Sequence, residues 1–430
     1  MIRTGQRAAT TVPPGIVDQL RGASRLAVEA TLAVADLVQA MQQEIGGGPR
    51  TLRRPLLGAT KLVSAPVYAG VRLVARLVGA GVEQALDAAT LLGGARSQID
   101  SDAALAVLNG VVGDYLAKTR NPLAIEMALR HQGERIVLER GPLLARFPGP
   151  PRKLVVFVHG SCRHDRPRCA PGQDGLSAIA RELGFARIDL LYNTGLHVSA
   201  NGRAFAALLE RLVAAWPVPL DELALVGHSM GGLVARSAAH IGEVEGHAWR
   251  GKLRTLVCIA SPHHGAPLER AGSWVDMLLG VSRYSAPFVR LGKIRSAGVT
   301  DLRFGSVLDD HRDPRGRFAT PRDVRRRLRL PLDVRCFAIA ATRTATPGER
   351  RYASDGVVPV DSALGRHARP ELTLAFDDTW IGFGMGHVEV LERPETHTVL
   401  RRWLSPSVGG GSRLRARAAE PRAPRHRTPA

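Results

Sequence analysis

A serine set between two glycines is the strongest chemical signal in this 430-residue chain. The segment Gly227-His228-Ser229-Met230-Gly231 follows the apolar run ELALV and precedes the helix-like run LVARSAAH. A G-x-S-x-G turn between a strand and a helix is typical of a nucleophile elbow, which lifts a serine hydroxyl clear of a sheet. Chance gives the pattern alone about 0.2 times in a chain of this composition. The strand–turn–helix context therefore carries most of the weight.

A serine of ordinary acidity needs a neighbouring base, and that base needs a carboxylate to orient it. In the chain order Ser, acid, His, the acid follows a late strand and the histidine follows the last strand. Asp355 follows a predicted strand at 334–340, and His387 follows a predicted strand at 372–376. This order predicts Asp355 and His387 as the partners of Ser229. The alternatives left open are Asp361, Asp377 and Asp378 for the acid, and His367 and His397 for the base.

The oxyanion of an acyl-transfer intermediate needs two fixed N–H donors. The backbone N–H of Met230, the residue after the serine, is the first candidate. The second is the backbone N–H of Ser161, which lies just beyond the apolar run KLVVFV. Gly160, beside it, permits a close approach of the backbone. We therefore expect the oxyanion hole at Ser161 and Met230.

Four residues are expected to line the pocket because of their position alone: His159, Gly160, His228 and His197. For His197 an equal alternative is that it braces the loop after the fourth strand. The pair His263-His264 is expected to form a structural turn, because adjacent side chains diverge and no carboxylate completes a metal-ligand set. The chemistry described here requires neither a metal nor an organic cofactor.

The elements that must position these residues begin after residue 130. There, short β-branched runs alternate with helical stretches, which predicts a mostly parallel sheet with helices on both faces. The predicted strands are 135–138, 153–158, 186–192, 222–226, 255–259, 334–340 and 372–376, with helices near 175–184, 202–215 and 231–240. Residues from about 266 to 330 are too many for an ordinary connection. They predict a lid-like insertion, with a helix packed on the core as the alternative.

The regions outside this domain have simpler patterns. Residues 16–130 are predicted to be helical, with helices at 16–45, 67–92 and 101–118, and the hydrolase-like domain is assigned to 131–404. The arm at 1–15 and the Gly-, Pro- and Arg-rich tail at 405–430 are expected to be disordered. No run reaches the ~18 apolar residues of a membrane span. The broad apolar face of 67–92 favours packing on the next domain, with peripheral membrane contact as the alternative.

The formal charge of +20 raises nucleic acid as a partner. The basic residues are scattered, and aromatic residues are only 5% of the chain, which argues against a base-stacking surface. Recruitment of nucleic acid through the basic tail is left open. The four cysteines form no CxxC pair, and we expect Cys162 and Cys169, which share a loop, to be reduced thiols, with a disulfide between them in an oxidising compartment as the alternative. The first 25 residues contain no apolar core of a secretory signal, so a cytoplasmic protein is expected.

Seven segments together make a more specific resemblance. They are VFVHGSC, YNTGLHVSANGRAFAALLERL, LALVGHSMGGLVARSA, SPHHGAPLERAGSWVD, KIRSAGVTDLRFG, SDGVVPVDSALGRH and GFGMGHVEVL. Over about residues 100–404 the chain resembles lipase-like, PGAP1-type α/β-hydrolases of bacteria. The resemblance implies an α/β-hydrolase fold, ester hydrolysis by Ser229, Asp355 and His387, and an oxyanion hole near Ser161 and Met230. Ser354 and Ser261 depart from the usual Gly and Thr, but neither is a reacting group.

These observations predict a serine carboxylic-ester hydrolase acting on a small-molecule or lipid ester through an acyl-enzyme. Two alternatives remain. The same residues would also serve an acyltransferase, in which an alcohol replaces water. A non-catalytic, membrane-associated module is the other, although such a module need not keep the reacting residues.

Overall fold

The structure, a computed structural model, describes residues 21–25, 28, 101–161, 174–266, 296–311, 323–326, 328–345 and 354–406. The chain divides into two compact units, one of Met1–Ser101 with Leu116–Ala124 and the other of Asp102–Tyr115 with Ile125–Ala430. The predicted regions 16–130 and 131–404 stay a prediction. The predictions for residues 1–15, for the helix at 67–92, for most of 16–45, for the Cys162 and Cys169 thiols and for the tail beyond 406 lie outside the described residues.

An eight-stranded sheet forms the centre of the second unit. The strands are β1 Ala128–His131, β2 Glu134–Arg135, β3 Lys153–Val158, β4 Phe185–Leu191, β5 Glu222–His228, β6 Leu253–Ile259, β7 Arg335–Thr342 and β8 Asp378–Phe383. Their order across the sheet is β2-β1-β4-β3-β5-β6-β7-β8. Only β1 is antiparallel to its neighbours, β2 and β4, and every other pair is parallel. The prediction of a mostly parallel sheet is confirmed.

Helices lie on both faces of this sheet. The described helices are α1 Ser101–Lys118, α2 Arg140–Arg146, α3 Gly175–Glu182, α4 Val198–Ala215, α5 Met230–Val244, α6 Ala297–Asp301, α7 Val360–Ala363 and α8 Pro394–Leu404, and the core residues come from α2, α3, α4, α5, α7 and α8. Side chains of β3 alternate between two buried clusters, as the pleat of a strand requires. Leu154 and Val156 pack with residues of α4 and α5, whereas Val155 packs with residues of α3 and α8. The core therefore lies in two layers, one on each side of the sheet.

Two predicted strands are wrong. The strand predicted at 135–138 is replaced by the hairpin of β1 and β2, and only Arg135 remains in a strand. The strand predicted at 372–376 is instead a short 3-10 turn at Pro370–Leu372 followed by a loop, and the last strand is β8. Leu372 and Leu374 are buried although they belong to no strand, which explains the misleading apolar run.

The described ends of the predicted insertion pack on the core. Ala266 donates its N–H to the Leu302 carbonyl at 3.1 Å, and Leu302 and Val307 are buried in the same layer as α4 and α5. The choice between a lid and a packed helix stays a prediction, because residues 267–295 and 312–322 lie outside the described residues. Within the described ranges, no helix has both the length and the apolar character needed to cross a membrane.

Candidate active site

Ser229 occupies a sharp turn between β5 and α5. Its backbone has φ 54° and ψ −124°, and its N–H donates to the Ile259 carbonyl on β6 at 2.8 Å. A Cβ atom at Gly227 would lie 2.5 Å from the Cα of Gly232, and one at Gly231 would lie 2.0 Å from the carbonyl oxygen of Val158. Neither position has room for a side chain. The local backbone therefore has the form that the G-x-S-x-G pattern predicts.

Three side chains that are far apart in the sequence form a hydrogen-bonded chain. His387 Nε2 lies 2.9 Å from Ser229 Oγ, and His387 Nδ1 lies 2.7 Å from Asp355 Oδ2. Because a carboxylate only accepts hydrogen bonds, Nδ1 carries the proton and Nε2 faces the serine as an acceptor. The exposed fractions of these residues are 3% for Ser229, 5% for His387 and 0% for Asp355. This tautomer leaves Nε2 ready to receive the hydroxyl proton.

The turn after β7 holds the Asp355 carboxylate. Oδ1 accepts the backbone N–H groups of Val357 and Val358 at 2.8 and 2.7 Å, which leaves Oδ2 for His387. Gly356 has φ 97°, a conformation that glycine adopts without steric strain. One carboxylate oxygen is thus used to shape its own loop, and the other orients the imidazole.

Backbone bonds tie the loop after β8 to the strand beside it. Met385 and Gly384 donate their N–H groups to the carbonyls of Thr342 and Thr344 at 2.9 Å each. The N–H of His387 donates to the Asp355 carbonyl at 3.2 Å. The histidine loop is therefore attached both to β7 and to the loop that carries the acid.

The loop after β3 lies against the serine. A Cβ atom at Gly160 would be 2.9 Å from the Cβ of Ser229, so only glycine permits this approach. Ser161 directly follows Gly160, and Met230 directly follows Ser229. Both of these predicted oxyanion donors are buried. Sequence and packing thus bring the two predicted donor residues to the nucleophile.

His159 is held beside this loop by Tyr192, which the sequence reasoning missed. Their rings stack with centroids 4.6 Å apart, and the Tyr192 hydroxyl donates to the His159 carbonyl at 2.7 Å. The only signal in the sequence is a tyrosine directly after a buried strand, which is too common to single it out.

His197 is engaged with Asp301 at the start of α4. Its Nδ1 lies 3.1 and 3.0 Å from the two Asp301 carboxylate oxygens, and Asp301 Oδ2 also accepts the N–H of Val198 at 2.8 Å. These contacts connect the loop after β4 to α6. They correspond to the bracing alternative for His197.

The alternative acids and bases have other partners. The partners are Arg366 for Asp361, the Cys336 N–H for Asp377, Arg402 and Trp403 for Asp378, the Arg369 N–H for His367 and the Leu391 carbonyl for His397.

A second buried histidine, His263, lies in the loop after β6. Arg236 of α5 donates from Nη1 to His263 Nδ1 at 3.0 Å, and Arg325 donates to the His263 carbonyl at 2.9 Å. Burial lowers the pKa of His263 well below its usual value, and the charge of Arg236 adds to this effect. Burial also lowers the pKa of Arg236 to about 10. Sequence reasoning missed Arg236, which looks like any helix residue until the fold places it.

His264 continues the turn towards α7. Its N–H donates to the Ser362 hydroxyl at 3.1 Å, and its Nε2 donates to the Gly365 carbonyl at 2.9 Å. Burial lowers the pKa of His264 to about 4. The described part of the chain contains no group of three or more His, Cys, Asp or Glu side chains suited to a metal ion.

Comparison with known proteins adds a family match. Residues 209–313 match the family described as PGAP1-like alpha/beta domain. A search of curated proteins finds no significant match to the sequence.

Similar solved structures share little sequence identity with this chain. Bacillus licheniformis lipase BlEst2 in its mature form is 17% identical, with 60% of this chain and 94% of that chain covered and a TM-score of 0.38. The Pyrococcus furiosus esterase Pf2001 is 14% identical, with 60% and 83% covered and a TM-score of 0.36. Mouse alpha/beta hydrolase domain-containing protein 10 is 12% identical, with 58% and 86% covered and a TM-score of 0.33.

The sheet order, the turn at Ser229 and the helices on both faces define an α/β-hydrolase fold. The family match adds a similarity to the PGAP1-like alpha/beta domain over residues 209–313. The fold and the resemblance expected from the sequence are both confirmed.

Proposed function

We propose that this protein hydrolyses carboxylic esters through an acyl-enzyme formed on Ser229. The observation that carries the proposal is the hydrogen-bonded chain from Ser229 Oγ through His387 to Asp355, with distances of 2.9 and 2.7 Å. A serine, a correctly oriented imidazole and a buried carboxylate are the groups that activate a hydroxyl for attack on an acyl carbon.

In the first half of the reaction, Ser229 Oγ attacks the ester carbonyl carbon and its proton passes to His387 Nε2. Asp355 stabilises the imidazolium that results, and its hydrogen bond to Nδ1 keeps the ring oriented. The C–O bond of the ester then breaks. The leaving alcohol takes the proton from His387, and the acyl group remains on Ser229.

In the second half, His387 accepts a proton from water, and the hydroxide oxygen attacks the acyl carbon. The bond to Ser229 Oγ breaks, the serine recovers its proton from His387, and the carboxylic acid leaves. Both halves pass through a tetrahedral oxyanion, for which we assign the backbone N–H groups of Met230 and Ser161 as donors. Gly160 supports this assignment because it lets the Ser161 loop lie against the nucleophile.

The expected substrates are small-molecule or lipid esters, and no cofactor is needed for these steps. The test is covalent labelling with a fluorophosphonate, followed by turnover of p-nitrophenyl esters of increasing acyl length. We expect labelling and turnover in the wild type and neither in Ser229→Ala. The matched control is Ser237→Ala, which removes a buried hydroxyl on α5 that donates to the Val307 carbonyl. This variant should still be labelled.

A wild type that is neither labelled nor active on any ester would contradict the proposal. A further assay adds an alcohol that competes with water for the acyl group. If a new ester forms in place of the carboxylic acid, the protein acts as an acyltransferase with the same residues.

A further inference from the structure

His228, the residue before the nucleophile, makes a contact that the reaction steps above do not use. Its side chain is 1% exposed, and its Nε2 lies 2.8 Å from the backbone carbonyl oxygen of His387. The two imidazole rings pack with centroids 4.9 Å apart and planes inclined by 45°. His228 therefore joins the nucleophile turn directly to the loop that carries the base.

The direction of this bond follows from its acceptor. A carbonyl oxygen has no proton to give, so His228 Nε2 carries the hydrogen and donates it. On the other side, the N–H of His387 donates to the Asp355 carbonyl at 3.2 Å. The backbone of His387 is thus bound to the serine side through its C=O and to the acid side through its N–H. The same order, Ser, His, Asp, holds for the side chains.

We infer that His228 is a positioning residue, which holds the backbone of His387 at the distance its imidazole needs to reach Ser229 Oγ. Ser229 directly follows His228, so a bond from His228 to His387 links base and nucleophile through one short, rigid turn. The inference rests on the proposed function, because it assigns His228 a role in the same reaction. Misplacing a reacting group by about 1 Å can lower a rate by about 100-fold.

Packing around His228 decides which substitutions can test this role. A Cβ atom at Gly160 would lie 3.1 Å from His228 Nδ1 and 2.9 Å from the Cβ of Ser229. Gly160 in the loop after β3, His228 and Ser229 are therefore closely packed. A much smaller side chain at position 228 would disturb this packing. Phenylalanine keeps an aromatic ring and removes the donor. Glutamine keeps an N–H donor near the position of Nε2.

The experiment compares His228→Phe and His228→Gln with the wild type in p-nitrophenyl butyrate turnover, fluorophosphonate labelling rate and thermal unfolding. We expect His228→Phe to lower kcat by about 10- to 100-fold with KM within about twofold, because substrate binding does not use this bond. His228→Gln should recover a large part of kcat. The matched control is His397→Phe, which removes an Nε2-to-carbonyl bond of 2.9 Å on α8 and should keep the wild-type kcat.

Wild-type kcat in a folded His228→Phe, or equal losses of kcat in His228→Phe and His397→Phe, would overturn the inference. If His228→Phe does not fold, His228→Gln and His228→Asn replace it. The shorter amide of asparagine falls short of the carbonyl, so the glutamine variant should have at least a several-fold higher kcat, and equal values would overturn the inference. If the wild type is active and substitutions of His228 do not change kcat, only the inference about His228 fails. If the wild type is inactive and unlabelled, both the proposed function and this inference fail.

Discussion

His387 and His263 are both buried histidines in loops at the ends of parallel strands, yet their surroundings are opposite. His387 is 5% exposed and His263 is 1% exposed, so burial does not separate them. His387 donates from Nδ1 to a carboxylate and faces a hydroxyl with Nε2. His263 instead accepts on Nδ1 from the guanidinium of Arg236.

The charge of the partner decides what a buried imidazole can do. A proton added to His387 is stabilised by Asp355, so the ring can take and return a proton during a reaction. A proton added to His263 would stand beside Arg236 and near Arg325, so this ring stays neutral and acts as a fixed acceptor. Burial alone does not produce a general base.

The largest difference between the two histidines should appear when each imidazole ring is removed. We expect His387→Ala, like Ser229→Ala, to lower kcat by about 10⁴-fold or more, because a triad works as a unit. We expect His263→Phe to keep kcat within about tenfold. Ester turnover, measured well below the unfolding temperature of each variant, checks both expectations. Comparable losses in the two histidine variants would remove the distinction.

The next test gives His387 a neutral partner. Asp355→Asn preserves the size of the side chain but removes the negative charge and favours the wrong tautomer of the imidazole. We expect kcat to fall by about 10³- to 10⁴-fold, less than in Ser229→Ala, with KM little changed. The measurement is ester turnover, with Asp361→Asn as the control because that carboxylate pairs with Arg366 on the surface. Full activity in Asp355→Asn would move the acid role to another residue, such as Asp361.

A smaller effect concerns stability rather than rate. Burial lowers the pKa of His264 and His311 to about 4, and burial also lowers the pKa of His263 well below the ordinary value of 6.5. Between pH 6.5 and 4 the unfolded chain binds more protons at these positions than the folded chain does. The free energy of unfolding should therefore be highest above pH 6.5 and should fall as the pH drops towards 4. Urea unfolding across this range checks it, and a flat profile would contradict it.

The smallest expected effect comes from the cation beside His263. Arg236→Met removes a buried charge whose described contacts are His263 and a backbone carbonyl, with no carboxylate among the described residues. We expect the free energy of unfolding at pH 7 to change by no more than about 2 kcal/mol, since a buried cation gains little without a counter-ion. The fall in stability below pH 6.5 should become shallower, and kcat should change only a few-fold. An unchanged pH dependence would show that Arg236 does not contribute to holding His263 neutral.

The sequence predicts the contacts between the candidate residues better than the strands that carry them. The order of Ser229, Asp355 and His387 along the chain is enough to single them out as candidates, because this order reflects which strands end at the same edge of the sheet. In the structure His387 is hydrogen-bonded to both Ser229 and Asp355, although the strand expected before His387 begins six residues earlier in the prediction than in the structure. β8 is an edge strand in which half of the positions are exposed and one is buried, so it lacks the apolar run that marks buried parallel strands.

The contacts that sequence reasoning missed depend on pairs of residues that only the fold brings together. His228 was expected to line the pocket, but its bond to the carbonyl of His387 spans 159 positions. Arg236 and His263 lie on a helix and a loop with no shared pattern. His197 carried two equal interpretations, and only the position of Asp301 favours bracing. Periodicity reports which face of an element is buried, and it says nothing about the partner across the interface.

The backbone of Ser229 has a further consequence. A residue with a side chain held at φ 54° and ψ −124° stores about 1 to 3 kcal/mol of strain, whereas glycine adopts such conformations freely. Glycine at position 229 would therefore relieve this strain and stabilise the fold. Under the proposed function the same substitution would remove the nucleophile, so the strained serine is a cost in stability that only its hydroxyl would justify.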